Sequence, residues 1–187
     1  MNVLVACEFS GRVREAFKAK GHDAWSCDLL PSEIPGQHIQ DNVLKHLNDG
    51  WDLMIAHPPC TYLCNSGVRW LKDNQARFDS LIVAAGLFNA LLEAPITKIA
   101  IENPIQHKYA RSMIIQPYSQ IVQPYYFGEP ESKSTCLWLK NLPKLQPTKL
   151  VMPVFQSVHK EPPGPDRWKN RSRTFQGIAD VMAEQWG

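Results

Sequence analysis

The chain has 187 residues, of which 44% are hydrophobic and 20% charged, and this composition is typical of a globular domain rather than a disordered chain. No run reaches the roughly 20 apolar residues of a membrane span, and the first residues lack the basic and apolar regions of a signal peptide. The five cysteines are odd in number and irregularly spaced, which predicts free thiols in a reducing cytoplasm and excludes a secreted disulfide scaffold.

Charge is unevenly distributed along the chain. The formal net charge is +2, but residues 133–173 carry +7 while residues 1–132 carry −3. A basic segment on an acidic body is compatible with a phosphate-bearing partner. A solvated, lysine-rich surface explains the charge equally well.

Over the first 110 residues, short apolar runs alternate with helical patterns. Strands are predicted at four runs: 3–7, 23–28, 53–56 and 99–101. Helices are predicted after Ser10, a candidate cap, and over 75–94. The core positions expected in the second helix are Phe78, Leu81, Ile82, Ala85, Phe88 and Leu92. This alternation predicts an α/β fold with a mostly parallel, doubly wound sheet.

From residue 116 the pattern changes, and we expect two or three further strands, some antiparallel. Residues 153–170 are rich in proline and predict a loop over the domain, and 178–186 predict a closing helix. Trp138 is expected in the core, whereas Trp70 and Trp168 fit either a core or a stacking role. We interpret 1–187 as a single domain, with a cofactor-binding and catalytic half at 1–110 and a substrate side at 111–187.

In a doubly wound sheet the functional residues lie at the carboxyl ends of the strands. The loop 8–11 offers a small residue and free N–H groups at a helix start, which suit a ligand. The sequence has no GxGxxG there, so a dinucleotide pyrophosphate site is poorly supported. Asp28 is placed to accept hydrogen bonds from ribose hydroxyls, although a turn residue at a strand end is the simpler interpretation.

Cys60 follows two prolines that stiffen the backbone and so direct its side chain. A thiol held at the rim of a sheet is placed like a nucleophile, provided that its pKa is lowered or a base is near. Cys64, four residues on, would be half of a metal site, but no second Cys/His pair follows and structural zinc is disfavoured. For Cys64 and Cys27, a buried and unreactive thiol remains the alternative.

Glu102 ends the neighbouring predicted strand. A carboxylate beside a thiol could act as a general acid or hold the amidine edge of a substrate. A helix cap or a surface ion pair is the structural alternative. The equivalent positions of Cys60 and Glu102 at two strand ends favour the catalytic interpretation.

These motifs, in this order, resemble the cytosine-C5 DNA methyltransferase family. Pro58-Pro59-Cys60 and Glu102-Asn103 resemble its catalytic motifs, and Phe9-Ser10-Gly11 lies where that family has its cofactor loop. Asp41-Asn42 lies where the family has an acidic residue near the adenine, and 177–180 resembles more weakly its C-terminal motif. Small stand-alone relatives of this kind are often encoded by phages.

The resemblance implies a Rossmann-like fold that binds S-adenosylmethionine (SAM). The Cys60 thiolate would add to C6 of cytosine, Glu102 would bind N3 and the exocyclic amine, and C5 would be methylated. The cofactor-binding residues implied are Phe9, Ser10, Gly11, Asp28, Asp41, Asn42 and Pro58. The substrate-binding residues implied are Asn103, Lys169, Arg171 and Arg173. For Lys169, Arg171 and Arg173, a solvated basic loop is an equal alternative.

The chain departs from the family in three respects. It leaves little room for a large target-recognition domain, its cofactor loop lacks the second and third glycines, and Pro104 replaces the expected valine. The expected acceptor is therefore DNA read with little specificity, or a deoxycytidine nucleotide. An amino-methyltransferase of the same fold is an alternative, but His57 and Cys60 replace both residues diagnostic of its motif. An inactive nucleic-acid-binding module is a third interpretation, against which the intact Cys60 and Glu102 argue.

Overall fold

The computed structural model describes residues 1–187 as seven strands, six α-helices and short 3₁₀ turns. The strands are β1 (Asn2–Ala6), β2 (Asp23–Asp28), β3 (His38–Gln40), β4 (Leu53–Ala56), β5 (Lys98–Pro104), β6 (Gln120–Val122) and β7 (Thr135–Lys140). The helices are α1 (Arg12–Ala19), α2 (Gln75–Leu92), α3 (Lys108–Met113), α4 (Ser157–Lys160), α5 (Arg167–Ser172) and α6 (Gln176–Trp186). No helix combines the length and apolar character needed to cross a membrane.

All seven strands form one sheet in the order β3-β2-β1-β4-β5-β7-β6. Strands β1 to β5 are parallel, and β7 runs antiparallel to both of its neighbours, β5 and β6. The chain crosses from one side of β1 to the other at β4, which creates the switch point where ligands bind in such sheets. The predicted α/β fold with an antiparallel C-terminal part is confirmed.

Helices cover both faces of this sheet, because the four central strands are apolar on both sides. Helix α2 packs on one face, where Phe88 meets the ring of Trp138 edge-on at 4.9 Å. Helices α1 and α6 pack together on the other face, in the cluster that holds Phe17 and Met182. Trp138 lies in the core as predicted. The core positions expected at Phe78 and Ile82 are wrong, because these side chains lie on the outer side of α2 and are exposed.

Helix α1 begins differently from the prediction. Its N-cap is Gly11, with a φ of +74° that favours glycine, and Ser10 lies one residue earlier, where its hydroxyl oxygen accepts from the Arg12 N–H at 3.4 Å. The Glu8 carboxylate accepts from the backbone N–H groups of Val13 at 2.8 Å and Arg14 at 3.3 Å. A negative charge at a helix N-terminus is favoured by the helix dipole, so Glu8 stabilises the start of α1.

Two further boundaries differ from the sequence expectation. Glu102 and Asn103 lie within β5 rather than beyond it, because β7 pairs alongside them and continues the strand to Pro104. The segment 153–170 is not only loop, since it contains α4 and the start of α5. Both differences depend on contacts with distant parts of the chain, which local patterns do not report.

Candidate active site

Four parallel strands end in one row. Ala6 of β1 is in register with Cys27 of β2 and with Ala56 of β4, and Ala56 is in register with Ile101 of β5. The residues that follow therefore share one edge of the sheet. From β2 to β5 they are Asp28, Cys7, His57 and Glu102. This row is the base of the candidate site.

His57 and Glu102 form an ion pair at the centre of that row. The distance between His57 Nδ1 and Glu102 Oε2 is 3.1 Å, and the side chains are only 11% and 9% exposed. Glu102 Oε2 also accepts a hydrogen bond from the Thr174 hydroxyl at 3.3 Å. Thr174 is brought here by the segment that leads into α6, where Arg12 Nη1 donates to its carbonyl oxygen at 2.9 Å.

Each member of this pair shifts the pKa of the other toward its charged form. Burial alone would raise the pKa of Glu102, but the hydrogen bond and charge of His57, with smaller contributions from Lys133 and Thr174, lower it to about 2. Burial opposes the charge on His57, yet the bond to Glu102 and the charges of Glu102 and Glu8 outweigh it, so the pKa of His57 is raised. Glu102 is thus ionised in the free protein and His57 carries the neighbouring proton.

Cys60 and Cys64 lie on one tight turn after the two prolines. The backbone N–H groups of Leu63 and Cys64 both donate to the Cys60 carbonyl at 3.0 Å. The Cys64 sulfur also lies 3.0 Å from the Ser66 hydroxyl oxygen. The turn therefore places two thiols, one half-buried and one buried, beside each other.

The two thiols differ in how readily they ionise. Hydrogen bonds from Cys60 and Ser66 to the Cys64 thiolate, helped by the charge of Arg171, lower the pKa of Cys64 to about 5. The same contact and burial raise the pKa of Cys60, against the nearby charge of Lys133. The contact therefore favours ionisation of Cys64 over ionisation of Cys60.

Strand β5 and the segment after it hold this turn in place. The Asn103 side-chain amide donates to the Pro58 carbonyl at 2.9 Å, and His107 Nε2 lies 2.9 Å from the Tyr62 carbonyl oxygen. The structure thus places Asn103, predicted to bind substrate, against the loop after β4, where its amide nitrogen holds that loop. Its side-chain oxygen is buried without a partner.

The predicted cofactor loop lies at the end of β1. Phe9 is buried, and the ring of Trp168 lies 5.8 Å from it, so Trp168 covers this loop from the exposed side. The Ser10 hydroxyl donates to Glu8 at 3.1 Å. A side chain at Gly11 would approach the Arg14 guanidinium to 2.9 Å, so both its φ and its surroundings favour glycine.

The three predicted cofactor-binding residues on β2 and after β3 are placed along the same edge. Asp28 ends β2, where burial raises its pKa and its Oδ1 accepts from the Leu30 N–H at 2.9 Å. Asp41 follows β3, and its bonds to Lys45 and to the Asn42 N–H lower its pKa to about 2. The Asn42 side chain accepts from the Leu44 N–H at 3.1 Å. Asp41 and Asn42 thus already have local hydrogen bonds.

The predicted phosphate-contacting residues separate into two groups. Arg171 is near the thiol pair, and its Nε is buried without a partner. Arg173 instead makes two bonds to the Glu33 carboxylate, at 2.8 and 2.6 Å. Lys169 lies 5.6 Å from the Trp168 ring. Only Arg171 is brought to the thiols.

Sequence reasoning gave no role to four residues near the site: Glu8 and His57, which lie in the loops predicted at the strand ends, and Lys133 and Thr174. Glu8 and His57 could have been found from the sequence, because Glu8 lies two residues after β1 and His57 directly follows β4. Lys133 and Thr174 could not, because they lie about 30 and 70 residues from Glu102 and meet it only in the folded chain. No group of three or more histidine, cysteine and carboxylate side chains is arranged to hold a metal ion.

Three buried side-chain atoms in this region have no hydrogen-bond partner within the chain. They are His57 Nε2, Asn103 Oδ1 and Gln106 Nε2. Buried polar atoms are nearly always hydrogen-bonded in folded proteins, and leaving one unpaired costs about 1–3 kcal/mol. His57 directly follows β4, Asn103 lies in β5 and Gln106 lies two residues beyond β5, so the three atoms are near the carboxyl ends of neighbouring strands, where a polar ligand could pair with them.

The sequence matches no protein-family model and no curated protein sequence. The fold does match solved structures. One, from E. coli, is described as a candidate DNA modification methyltransferase encoded within a prophage, with 16% identity, a TM-score of 0.53, and coverage of 81% of this chain and 52% of that chain. Another is the Entamoeba histolytica methyltransferase EhMeth, with 19% identity, a TM-score of 0.50, and coverage of 81% and 57%.

At these identities the comparison establishes the fold alone. The Rossmann-like fold of methyltransferases, with its mostly parallel sheet and antiparallel strand near one edge, is therefore confirmed. The chain spans about half the length of the solved structures it matches.

Proposed function

We propose that this protein is a SAM-dependent methyltransferase that acts on C5 of cytosine, in DNA or in a deoxycytidine nucleotide. One observation carries the proposal. In a methyltransferase fold, a thiol pair lies on the loop after β4 and an ionised carboxylate lies on the adjacent strand β5, and Lys133 acts electrostatically on both. A nucleophile and a hydrogen-bonding carboxylate are what addition to a pyrimidine ring requires.

The residues at the sheet edge fit SAM. Phe9 and Gly11 offer an apolar wall and a close backbone approach, and Asp28 offers a half-buried carboxylate at the strand end where ribose hydroxyls are bound. The unpartnered His57 Nε2 lies in the same row. We therefore assign the cofactor to Phe9, Ser10, Gly11 and Asp28, with Asp41, Asn42 and Pro58 at its margin. When bound, SAM supplies an electrophilic methyl group.

The chain's own residues prepare cytosine for that group. Cys60 adds through its sulfur to C6, while the Cys64 thiolate takes up the Cys60 proton. Glu102 accepts a hydrogen bond from the exocyclic amine, and a proton delivered through its carboxyl group to N3 neutralises the negative charge that develops there. Once C5 is substituted, loss of the C5 proton allows the Cys60 sulfur to leave C6, which restores the aromatic ring and the free enzyme.

Cations near the thiols support a phosphate-bearing substrate. Lys133 acts electrostatically on Cys60, His57 and Glu102, and its Nζ lies 3.5 Å from the Arg171 carbonyl oxygen. With the unpartnered Arg171 Nε, Lys133 forms a cationic side of the site. If the substrate is duplex DNA, the base must leave the stack, which costs a few kcal/mol. The E. coli neighbour's description as a DNA modification methyltransferase supports DNA as the acceptor.

The test is transfer of a labelled methyl group from SAM to duplex DNA, single-stranded DNA and deoxycytidine monophosphate in parallel. Products are digested to nucleosides and separated. We expect label in 5-methylcytosine, lost in Cys60→Ala and retained in Cys136→Ala, which removes a thiol from β7. Label in N4-methylcytosine or N6-methyladenine, or label that survives Cys60→Ala, would contradict the proposal.

A further inference from the structure

The partner of Glu102 is a group that titrates. The catalytic carboxylate is held by the imidazole of His57, 3.1 Å away, and by the neutral hydroxyl of Thr174. Neither Arg171 nor Arg173 is hydrogen-bonded to it, and Arg173 is bound to Glu33. Arginine keeps its proton at all accessible pH values, whereas histidine releases its proton near neutrality.

The bond between the two side chains fixes where the proton lies. An ionised carboxylate only accepts hydrogen bonds, so His57 donates from Nδ1 to Glu102 Oε2. The other ring nitrogen, Nε2, is buried and has no partner. Four charged groups act on His57: Glu8 after β1, Asp28 at the end of β2, Glu102 on β5, and Lys133 before β7. Three of the four are acidic and favour the imidazolium.

Resting on the proposed function, we propose that His57 is the proton source for the addition step, acting through Glu102. As the Cys60 sulfur bonds to C6, the C5=C6 electron pair moves toward C4 and N3, and N3 becomes basic. His57 Nδ1 gives its proton to the ionised Glu102 carboxylate, and the carboxyl group so formed gives a proton to N3. The step leaves a neutral His57, an ionised Glu102 and a ring protonated at N3.

The same proton returns when the product leaves. Loss of hydrogen from C5 restores the electron pair that expels the Cys60 sulfur from C6, and N3 then gives its proton back to the His57–Glu102 pair. No proton is consumed at the pair over a cycle, and the net proton released is the one from C5. His57 is a positioning residue in this scheme, since it touches Glu102 and not the reacting ring.

The addition step can be measured without cofactor. Once sulfur is bonded to C6, C5 accepts a deuteron from D₂O, and reversal leaves cytosine deuterated at C5. We would follow this exchange by mass spectrometry in a cytosine-containing oligonucleotide between pH 5 and 10. The proteins compared are wild type, His57→Gln, His57→Asn and, as a matched control, His159→Gln, which alters an exposed histidine on α4.

We expect exchange by the wild type to rise and then fall with pH, the fall occurring as the pair loses its proton. Both His57 variants should exchange about 100-fold more slowly, as for loss of a general acid, and without the fall at high pH. His159→Gln should follow the wild type. Exchange by His57→Gln within twofold of wild type, or with the same fall at high pH, would overturn the role of His57.

A second readout does not depend on turnover. In an NMR titration, His57 should lose its proton above the ordinary histidine pKa of about 6.5, and Glu102→Gln should move that midpoint down by at least one pH unit. An unmoved midpoint would overturn the coupling. If the wild type shows neither exchange nor methyl transfer with any acceptor, the proposed function itself is wrong. If the wild type exchanges and the His57 variants exchange at the same rate, only the role of His57 is wrong.

Discussion

The molecule buries two charged clusters, which differ in how fully their polar atoms are hydrogen-bonded within the chain. Around Arg14, which is fully buried, every guanidinium nitrogen donates to the protein. The acceptors are Glu15, Ser26, Ser32 and the carbonyl oxygens of Ile34, Pro35 and Gln37. Around His57 and Glu102, by contrast, buried polar atoms remain unpaired at His57, Asn103 and Gln106.

Under the proposed function, this difference separates a structural cluster around Arg14 from a functional cluster around His57 and Glu102. Burying a charge is costly unless it is paired and hydrogen-bonded. Arg14 meets that condition with groups of its own chain and so holds the loop between β2 and β3 against α1. The cluster at His57 meets it only in part. Under the proposed function, those atoms are available to bind the substrate or the cofactor.

The largest expected effect distinguishes the two thiols within the functional cluster. Cys60→Ala should lower methyl transfer at least ~10³-fold, as for loss of a covalent nucleophile. Cys64→Ala should lower it only about 10- to 100-fold, because it removes the group that takes the Cys60 proton and not the nucleophile itself. Its rate should also rise at higher pH than in the wild type, since Cys60 must then ionise alone.

Rates from pH 6 to 10 with a saturating cytosine substrate would check this order. Cys136→Ala controls for loss of a buried thiol. If Cys64→Ala were the inactive variant and Cys60→Ala the partly active one, Cys64 would be the nucleophile.

The structural cluster should respond in stability. Arg14→Met removes the partner of six acceptors, and we expect unfolding free energy to fall by about 3–5 kcal/mol, as for breaking a buried network. Chemical denaturation followed by circular dichroism would measure it. Lys18→Met, on the exposed side of the same helix, should change stability by less than ~0.5 kcal/mol. Equal effects at the two positions would contradict the structural role of Arg14.

The functional cluster should instead change how the free energy of unfolding depends on pH. The pKa of Glu102 in the folded protein is about 2, below the usual glutamate value of 4.5. Its contribution is therefore present above pH ~4.5 and lost as the pH falls toward 2. The raised pKa of His57 has the opposite sense, since its contribution is present below pH ~6.5 and lost as the pH rises through the folded value.

Glu102→Gln should consequently be less stable than wild type by on the order of 2 kcal/mol near pH 5.5, and the gap should close near pH 2, where wild-type Glu102 is itself protonated. Urea unfolding at a series of pH values tests this. A gap that stays constant from pH 2 to 8 would rule out the ion pair as its cause.

The smallest expected effects distinguish the two arginines of the basic segment. Arg171→Gln should weaken binding of a single-stranded oligonucleotide and reduce the salt dependence by one phosphate contact. Arg173→Gln breaks a partly exposed pair with Glu33 and should cost less than ~1 kcal/mol of stability, with little change in that salt dependence. Fluorescence anisotropy over a range of salt concentrations measures both. Equal salt slopes for the two variants would remove Arg171 from the substrate side.

Much of the fold follows from local patterns. Apolar runs separated by helical periodicity determine a parallel sheet, because such runs are stable only when both faces are covered. That sheet in turn places its strand ends along one edge. For this reason Cys60 and Glu102 could be proposed as spatial neighbours although they lie 42 residues apart in the sequence.

The partners of those residues could not be predicted in the same way. Thr174 reaches Glu102 only because α6 returns to pack on α1, and Glu33 takes Arg173 only because the loop before β3 lies beside that return. Local spacing carries no record of such contacts. Their free energy arises from burial that many distant residues create together. The sequence by itself therefore determined the sheet and the residues at its edge, and the tertiary structure decided which of them are paired and which remain open.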